Sequence, residues 1–260
     1  MNQTLNIIAN RRSTRTYSNQ PVTDEEKELI VQAVLRAPTA GNMMLYSIIE
    51  VEDQALKDRL AQTCDNQPFI AKAPYVLLFL ADYQRWYDYY LNSGVEKRCQ
   101  ELNLTPHQPQ EGDLILACCD ALIAAQTAVL AAESLGIGSC YIGDILENYE
   151  IHRELFSLPP YTLPVTLLCF GRSALVENSP VNLTPRFERE FIVSKNSYHQ
   201  QDAGQLEMMF EPLKRRYFAS GRYSAGAENL GQHYYFKKFI SDFSVEMNRS
   251  VREMLKNWSG

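Results

Sequence analysis

Apolar and polar residues alternate along this chain with helical and strand periods up to residue 171, and then the pattern changes. Leu29, Ile30, Ala33, Val34 and Ala37 recur at helical spacing within Pro21 to Ala37. Thr23 and Glu26 have the spacing of a capping box, in which each side chain satisfies a backbone N–H left open by the first turn. The helix stops at Pro38, whose ring disfavours helix in the preceding residue. Thr4 to Asn10 predicts a short helix and Asp53 to Cys64 an amphipathic one. Tyr46 to Val51 predicts a short strand. The run from Tyr75 to Ala81 is apolar throughout and bounded by turn residues, which predicts a strand buried on both faces. Leu163 to Gly171 predicts another, and Ile137 to Gly143 a short strand between glycines.

Asp82 to Glu101, rich in tyrosine and charge, predicts an exposed helix, and Thr105 to Gly112 a loop. Asp113 to Leu135 is apolar on almost every side of a helix. Its length suits a membrane span, but Asp120, Gln126 and Glu133 interrupt it, which favours a central core or subunit-interface helix. Gly136 follows at the usual C-terminal cap position. Glu147 to Leu158 predicts a modest helix closed by Pro159-Pro160. The first part of the chain is therefore α+β with about four strands. Beyond it, Arg172 to Tyr198 reads as extended, with Pro180 and Pro185, and Gln201 to Ser259 as a polar, aromatic-rich helical arm. The expected division is 1–171 as core and 172–260 as a C-terminal extension.

The 260 residues suffice for one sizeable core with an appended arm, and the formal net charge of −6 argues against a broad nucleic-acid or membrane-surface binder. Six cysteines include adjacent Cys118-Cys119, read as core filling, and no CxxC pair, so no metal site is expected. Polar residues Asn2, Gln3, Asn6 and Asn10 break up the first ten positions, so no signal peptide is expected there, and reduced thiols suit a cytoplasmic protein.

Against this acidic background, Arg11-Arg12-Ser13-Thr14-Arg15 places three guanidinium groups within five residues. Guanidinium forks match phosphate oxygens bidentately and are always protonated. The motif by itself suits a solvated basic turn as well as an anion site. Three further segments keep it company: the small-residue loop Pro38-Thr39-Ala40-Gly41-Asn42, the run AAESLGIGSCYIG from Ala131 to Gly143, and TPRFEREFIVSKNSY from Thr184 to Tyr198.

In that order these motifs resemble the flavin-dependent nitroreductase family, and the last of them its longer branch of oxygen-insensitive nitroreductases and flavin reductases. The resemblance implies a mostly antiparallel sheet flanked by helices, and an entwined homodimer with FMN at the subunit interface. It implies NADPH or NADH as electron donor, and nitroaromatics, quinones or free flavin as acceptors. Arg11, Arg12, Ser13 and Arg15 match the positions that hold the FMN phosphate, ribityl chain and pyrimidine edge. Thr39 and Gln67 match positions at the flavin ring. Tyr141, Ile142, Gly143 and Asp144 match the loop along its face and N5 side. Arg186 matches a second phosphate-binding arginine. Arg222, in SGRYSAG, matches a loop that receives the extra phosphate of NADPH. The chemistry would belong to the cofactor, so no protein nucleophile or metal is required, and His107, His152, His199 and His233 are not nominated.

Three positions depart from the family pattern. Asp144 stands where a second glycine is common, Thr184 where a lysine commonly precedes the proline-arginine pair, and the Arg222 loop lacks an adjacent basic pair. The last departure leaves NADH use open. Two other readings stay open: a specialised flavoenzyme for one substrate, and a flavin-binding or sensing protein without turnover. Nucleic-acid phosphates are a poor fit for RRSTR, because the chain is acidic and has no stacking platform. If Arg222 reads the extra phosphate, Arg222→Ala raises the Michaelis constant for NADPH more than for NADH. Steady-state kinetics with both nucleotides check this, and equal effects dismiss the role.

Overall fold

The computed structural model describes residues 2–174, 183–219, 221–224 and 226–259. They fall into two compact units, Met1–Ser179 with Glu246–Gly260, and Pro180–Val245. The first contains α1 (Gln3–Asn10), α2 (Asp24–Val34), β1 (Tyr46–Glu50), α3 (Gln54–Thr63), β2 (Tyr75–Asp82) and α4 (Gln84–Asn92). It continues with α5 (Val95–Glu101), α6 (Glu111–Ser134), β3 (Gly138–Ile142), α7 (Tyr149–Leu155) and β4 (Thr162–Gly171). Then come α8 (Arg189–Ile192), α9 (Ala203–Tyr217) and α10 (Leu230–Tyr234), and finally α11 (Asp242–Ser259), whose last turns return to the first unit. Pro180, in the middle of the extended segment expected from Arg172 to Tyr198, lies outside the described residues, and α8 is a helical turn within its described part.

The four strands form one antiparallel sheet in the order β1-β2-β4-β3. Every residue of β2 is buried. Alternate side chains of a strand point to opposite faces. Tyr75, Leu77 and Phe79 accordingly join α2 and the alanine face of α6 in one apolar layer. Val76, Leu78 and Leu80 join Leu60, Ile70 and Leu167 in a second. This double burial explains why the strand reads as an unbroken apolar run.

Local signals set the element ends. The capping box of α2 forms: Thr23 N–H donates to Glu26 Oε2 (2.9 Å) and Glu26 N–H to Thr23 Oγ1 (3.3 Å). Gly136 follows α6 in the left-handed region, with φ 72°. The single helix expected from Asp82 to Glu101 is instead two, broken where Gly94 takes φ 72° between α4 and α5. Nor is α4 merely exposed. Trp86 donates from Nε1 to Met43 O (2.6 Å), and Tyr87 meets Tyr161 edge-on.

α6 is long and apolar enough to cross a bilayer, yet Ala117, Ala121, Ala124, Ala125 and Ala128 are fully buried against the sheet layer. The cysteine pair on this helix departs from expectation. Cys118 is half-buried and Cys119 exposed, because Cys119 falls on the opposite face, with Ile115, Leu116, Leu122 and Ile123. The helical tail also does more than cover the surface. Trp258 is fully buried among Tyr149, Tyr161 and Leu163, and donates from Nε1 to Gln110 O (2.9 Å).

Asp120, only 2% exposed, is the charge inside this apolar helix. Its carboxylate accepts from the N–H groups of Ala40 (2.9 Å) and Leu45 (3.1 Å), and so ties the loop from Thr39 to Leu45 to the helix. Removing the acceptor strands two backbone donors. Asp120→Ala is expected to cost about 2–4 kcal/mol in chemical denaturation, and Asp120→Asn, which keeps one acceptor oxygen, less. A loss below about 1 kcal/mol for the alanine variant contradicts this account.

Candidate functional site

The RRSTR segment leaves α1 at Arg11, whose N–H closes the helix on Ile7 O (3.0 Å). It then runs extended beside the start of β3. Ser13 and Ser139 form a parallel bridge, and Thr14 N–H donates to Ser139 O (2.9 Å). β3 pairs with β4 on its other side, so this segment occupies its open edge. The approach is close: a Cβ on Gly138 would lie 2.2 Å from Thr14 Oγ1, so only glycine fits there. Thr14 points inward and is buried, while Ser13 and Arg15 are exposed and Arg11 and Arg12 half-buried.

Arg11 Nη1 is sealed from solvent and has no hydrogen-bond partner among the described residues. Such a donor is costly to leave unmade, and an anion would satisfy it. Glu133, at the end of α6, lies beside both Arg11 and Arg12 and accepts from Ser139 Oγ (3.1 Å). Burial raises its carboxyl above the ordinary carboxylate range, while Ser139 and the two arginines oppose the rise. Arg15 lies over the Phe69 ring, 5.7 Å from its centroid, and also beside Cys140, whose thiol is raised chiefly by burial.

β3 carries the edge onward to Tyr141 and Ile142. The Tyr141 hydroxyl donates to Gln126 Oε1 (3.2 Å), and burial pushes it up to about 12. Ile142 is buried in the second apolar layer. At Gly143 a Cβ would meet nothing within 4 Å, so the space above it is open. Gln67 donates from Nε2 to Asp144 Oδ2 (2.7 Å) and to Cys64 O (3.0 Å), which joins the turn after α3 to the end of β3. Thr39 begins the turn tied to Asp120, with its Oγ1 accepting from Met44 N–H (3.2 Å).

The structure therefore brings Arg11, Arg12, Ser13 and Arg15 onto the edge of β3, with Tyr141 to Asp144 and Gln67 at its far end. Among the described residues, the hydrogen bonds of Thr39 go to Met44 and Asn42 of its own loop and not to that line. Arg186 and Arg222 belong to the second unit. Arg186 is exposed and donates to Thr184 O (3.2 Å) and Pro185 O (3.3 Å), while Arg222 is exposed in a loop whose Ser220 and Ala225 lie outside the described residues.

Four residues that sequence reasoning did not nominate shape the site: Phe69, Asp120, Glu133 and Glu147. The two acids of α6 carried a signal as isolated charges in an apolar helix. Glu147, three residues after Asp144, is 5% exposed. Burial first, and then Asp144, Asp65 and Glu246, push its carboxyl up to about 8. His152 is a core histidine: Nδ1–H donates to Ile145 O (2.9 Å) and Nε2 lies 2.8 Å from Thr63 Oγ1. No group of three or more potential metal ligands occurs among the described residues.

Residues 8–172 match the Nitroreductase family. The chain is a nitroreductase-family protein.

Nitroreductase relatives extend over most of its length. It is 32% identical over 221 residues to the oxygen-insensitive NADPH nitroreductase of Salmonella typhimurium, covering 85% of each chain. It is 30% identical to the NADPH-flavin oxidoreductase of Vibrio harveyi, over 85% of this chain and 84% of that one. Among solved structures, NfrA2 of B. megaterium superposes with a TM-score of 0.76 at 26% identity, covering 99% and 98% of the two chains.

Glu147 makes the stability of this nitroreductase depend on pH. Burial and the neighbouring acids push its carboxyl in the folded chain up to about 8, from the ordinary 4.5. Between those values the folded chain keeps a proton that the unfolded chain has lost, so stability falls as pH rises through that window. Glu147→Gln is expected to flatten this part of the profile. Melting temperatures of parent and variant at pH 5 and pH 8 check it, and parallel profiles refute it.

Proposed function

We propose that this chain is an FMN-dependent NAD(P)H oxidoreductase that passes two electrons to nitroaromatics, quinones or free flavin. The observation that carries the reading is the buried, unpartnered Nη1 of Arg11, set among Arg12, Ser13 and Arg15 on a strand edge that leads to open space at Gly143. A phosphate supplies the charge and acceptor oxygens that these guanidiniums lack. Arg11, Arg12 and Ser13 would hold the phosphate and ribityl chain. Arg15 would stand at the pyrimidine edge, where positive charge favours the reduced cofactor. Thr39, Gln67, Tyr141, Ile142, Gly143 and Asp144 would border the ring, with Arg186 as a further phosphate contact. Bound FMN supplies hydride chemistry, and donor and acceptor using one pocket alternately makes the kinetics ping-pong.

In this reading residues 1–171 form the cofactor-binding core and 172–260 an extension that reaches a partner subunit in a homodimer. The apolar face of α6 supports the dimer: Ile115 is 62% exposed, beside Leu116, Leu122 and Ile123. The free thiols support a cytoplasmic location, and the reading takes small-molecule acceptors as the partners rather than nucleic acid or membrane.

Purified protein is expected to be yellow, to bleach with NADPH or NADH, and to recover its colour with a quinone or nitroaromatic. Colour that never bleaches points to flavin binding without turnover, and a colourless protein with no FMN affinity overturns the proposal. Arg12→Ala is expected to weaken FMN binding by about 1–3 kcal/mol, because phosphate charge is left uncompensated. Titration of the flavin-free protein measures this, and equal affinities contradict the assignment.

A further inference from the structure

We propose that Phe69 positions Arg15 for the cofactor, and that through Arg15 it sets how strongly the site prefers reduced over oxidised flavin. The proposal deepens the flavin reading above and rests on it.

Arg15 is exposed, and none of the ion pairs among the described residues involves it. Its neighbours are the ring of Phe69, Cys140 and Tyr17. An exposed arginine spreads over many rotamers unless something holds it. Here the guanidinium carbon lies over the Phe69 ring, 5.7 Å from its centroid. At that distance the negative face of the ring attracts a cation.

The ring is itself held from below. Phe69 is half-buried and packs on the second apolar layer, and Ile70 beside it is fully buried in that layer. Backbone bonds close the turn that carries both: Gln67 N–H donates to Ala61 O (2.7 Å) and Ile70 N–H to Gln67 O (3.1 Å). The Gln67 side chain donates to Cys64 O and Asp144 Oδ2. One turn therefore grips the strand edge at two points. Gln67 reaches the residue just past the end of β3, and Phe69 lies under Arg15 of the segment docked along it.

The kind of partner matters. An acid would also hold Arg15, but it would cancel the charge that a ligand could use. A phenyl ring has no net charge and no lone pair, so it restrains the guanidinium and leaves its charge and N–H donors available. Reduced flavin gathers negative charge at its pyrimidine edge and oxidised flavin does not, so a cation fixed there favours the reduced form. Without the ring the cation wanders, and its effect weakens with distance.

The test is the midpoint potential of the FMN-loaded protein, measured at equilibrium against a reference dye. Phe69→Leu keeps an apolar side chain on the layer and removes the ring. It is expected to lower the preference for reduced over oxidised FMN about fivefold, a fall of about 20 mV for a two-electron couple. Phe69→Tyr keeps a ring and is expected to retain the parent potential. In an Arg15→Gln background Phe69→Leu is expected to add nothing, because the ring acts through the guanidinium. Phe69→Met makes the same comparison if the leucine variant does not fold. NMR of the flavin-free protein gives a readout that needs no cofactor: the ring shifts the Arg15 side-chain protons upfield, and Phe69→Leu removes that shift. An unchanged potential in Phe69→Leu, an equal fall in the Arg15→Gln background, a tyrosine variant as low as the leucine one, or no upfield shift in the parent overturns the proposal and leaves the flavin reading standing. A parent that binds no FMN overturns both, and is recognised before any variant is made.

Discussion

A sheet that is apolar on both faces can place its chemistry only at strand ends and free edges. β2 is buried along its whole length, and β4 nearly so, between two apolar layers. Charged side chains cannot stand in those layers without partners. The edge of β3 is different, because its outer backbone groups are not taken by another strand of the sheet. The RRSTR segment takes them through Ser13 and Thr14 at Ser139, and Gly138 gives it room. That one docking contact fixes where the arginines stand relative to Tyr141 and Gly143. The candidate site is in this sense a property of a strand edge.

Three acids buried in or beside the apolar layers meet three different fates. The side-chain oxygens of Asp120 accept from two backbone N–H groups and hold a loop. Glu133 is raised by burial but moderated by Ser139 and two guanidiniums. Glu147 faces other carboxyls, so its charged form is the least supported of the three. Acids thus serve as a brace, a counter-charge or a carboxyl that favours its neutral form according to their neighbours. His152 shows the parallel case for a base: burial lowers its pKa, and both ring nitrogens are taken by core partners.

Much of the fold was legible because the deciding signals are local. The capping box at Thr23 and Glu26, the glycine cap at Gly136 and the apolar run of β2 each act within a few residues, and all appear where the spacing puts them. The break at Gly94 was missed because glycine is tolerated inside a helical pattern until something decides its backbone conformation. The exposure of Cys119 and the burial of Trp258 were also hidden, since composition names a residue apolar without saying which face meets a partner.

The sequence by itself determined the α+β class, the strand count, the motif order that marks the nitroreductase family and the identity of the arginines on offer. Those features rest on periodicity, chain stiffness and charge, which are properties of neighbouring residues. Only the tertiary structure decided that Thr14 sits against Gly138, that Gln67 reaches Asp144, and that Glu147 is sealed among carboxyls rather than solvated. Gln67 and Asp144 are 77 positions apart in the chain. Their pairing, and the protonation of the acid beside them, depend on which segments the apolar layers press together, and no local pattern encodes that.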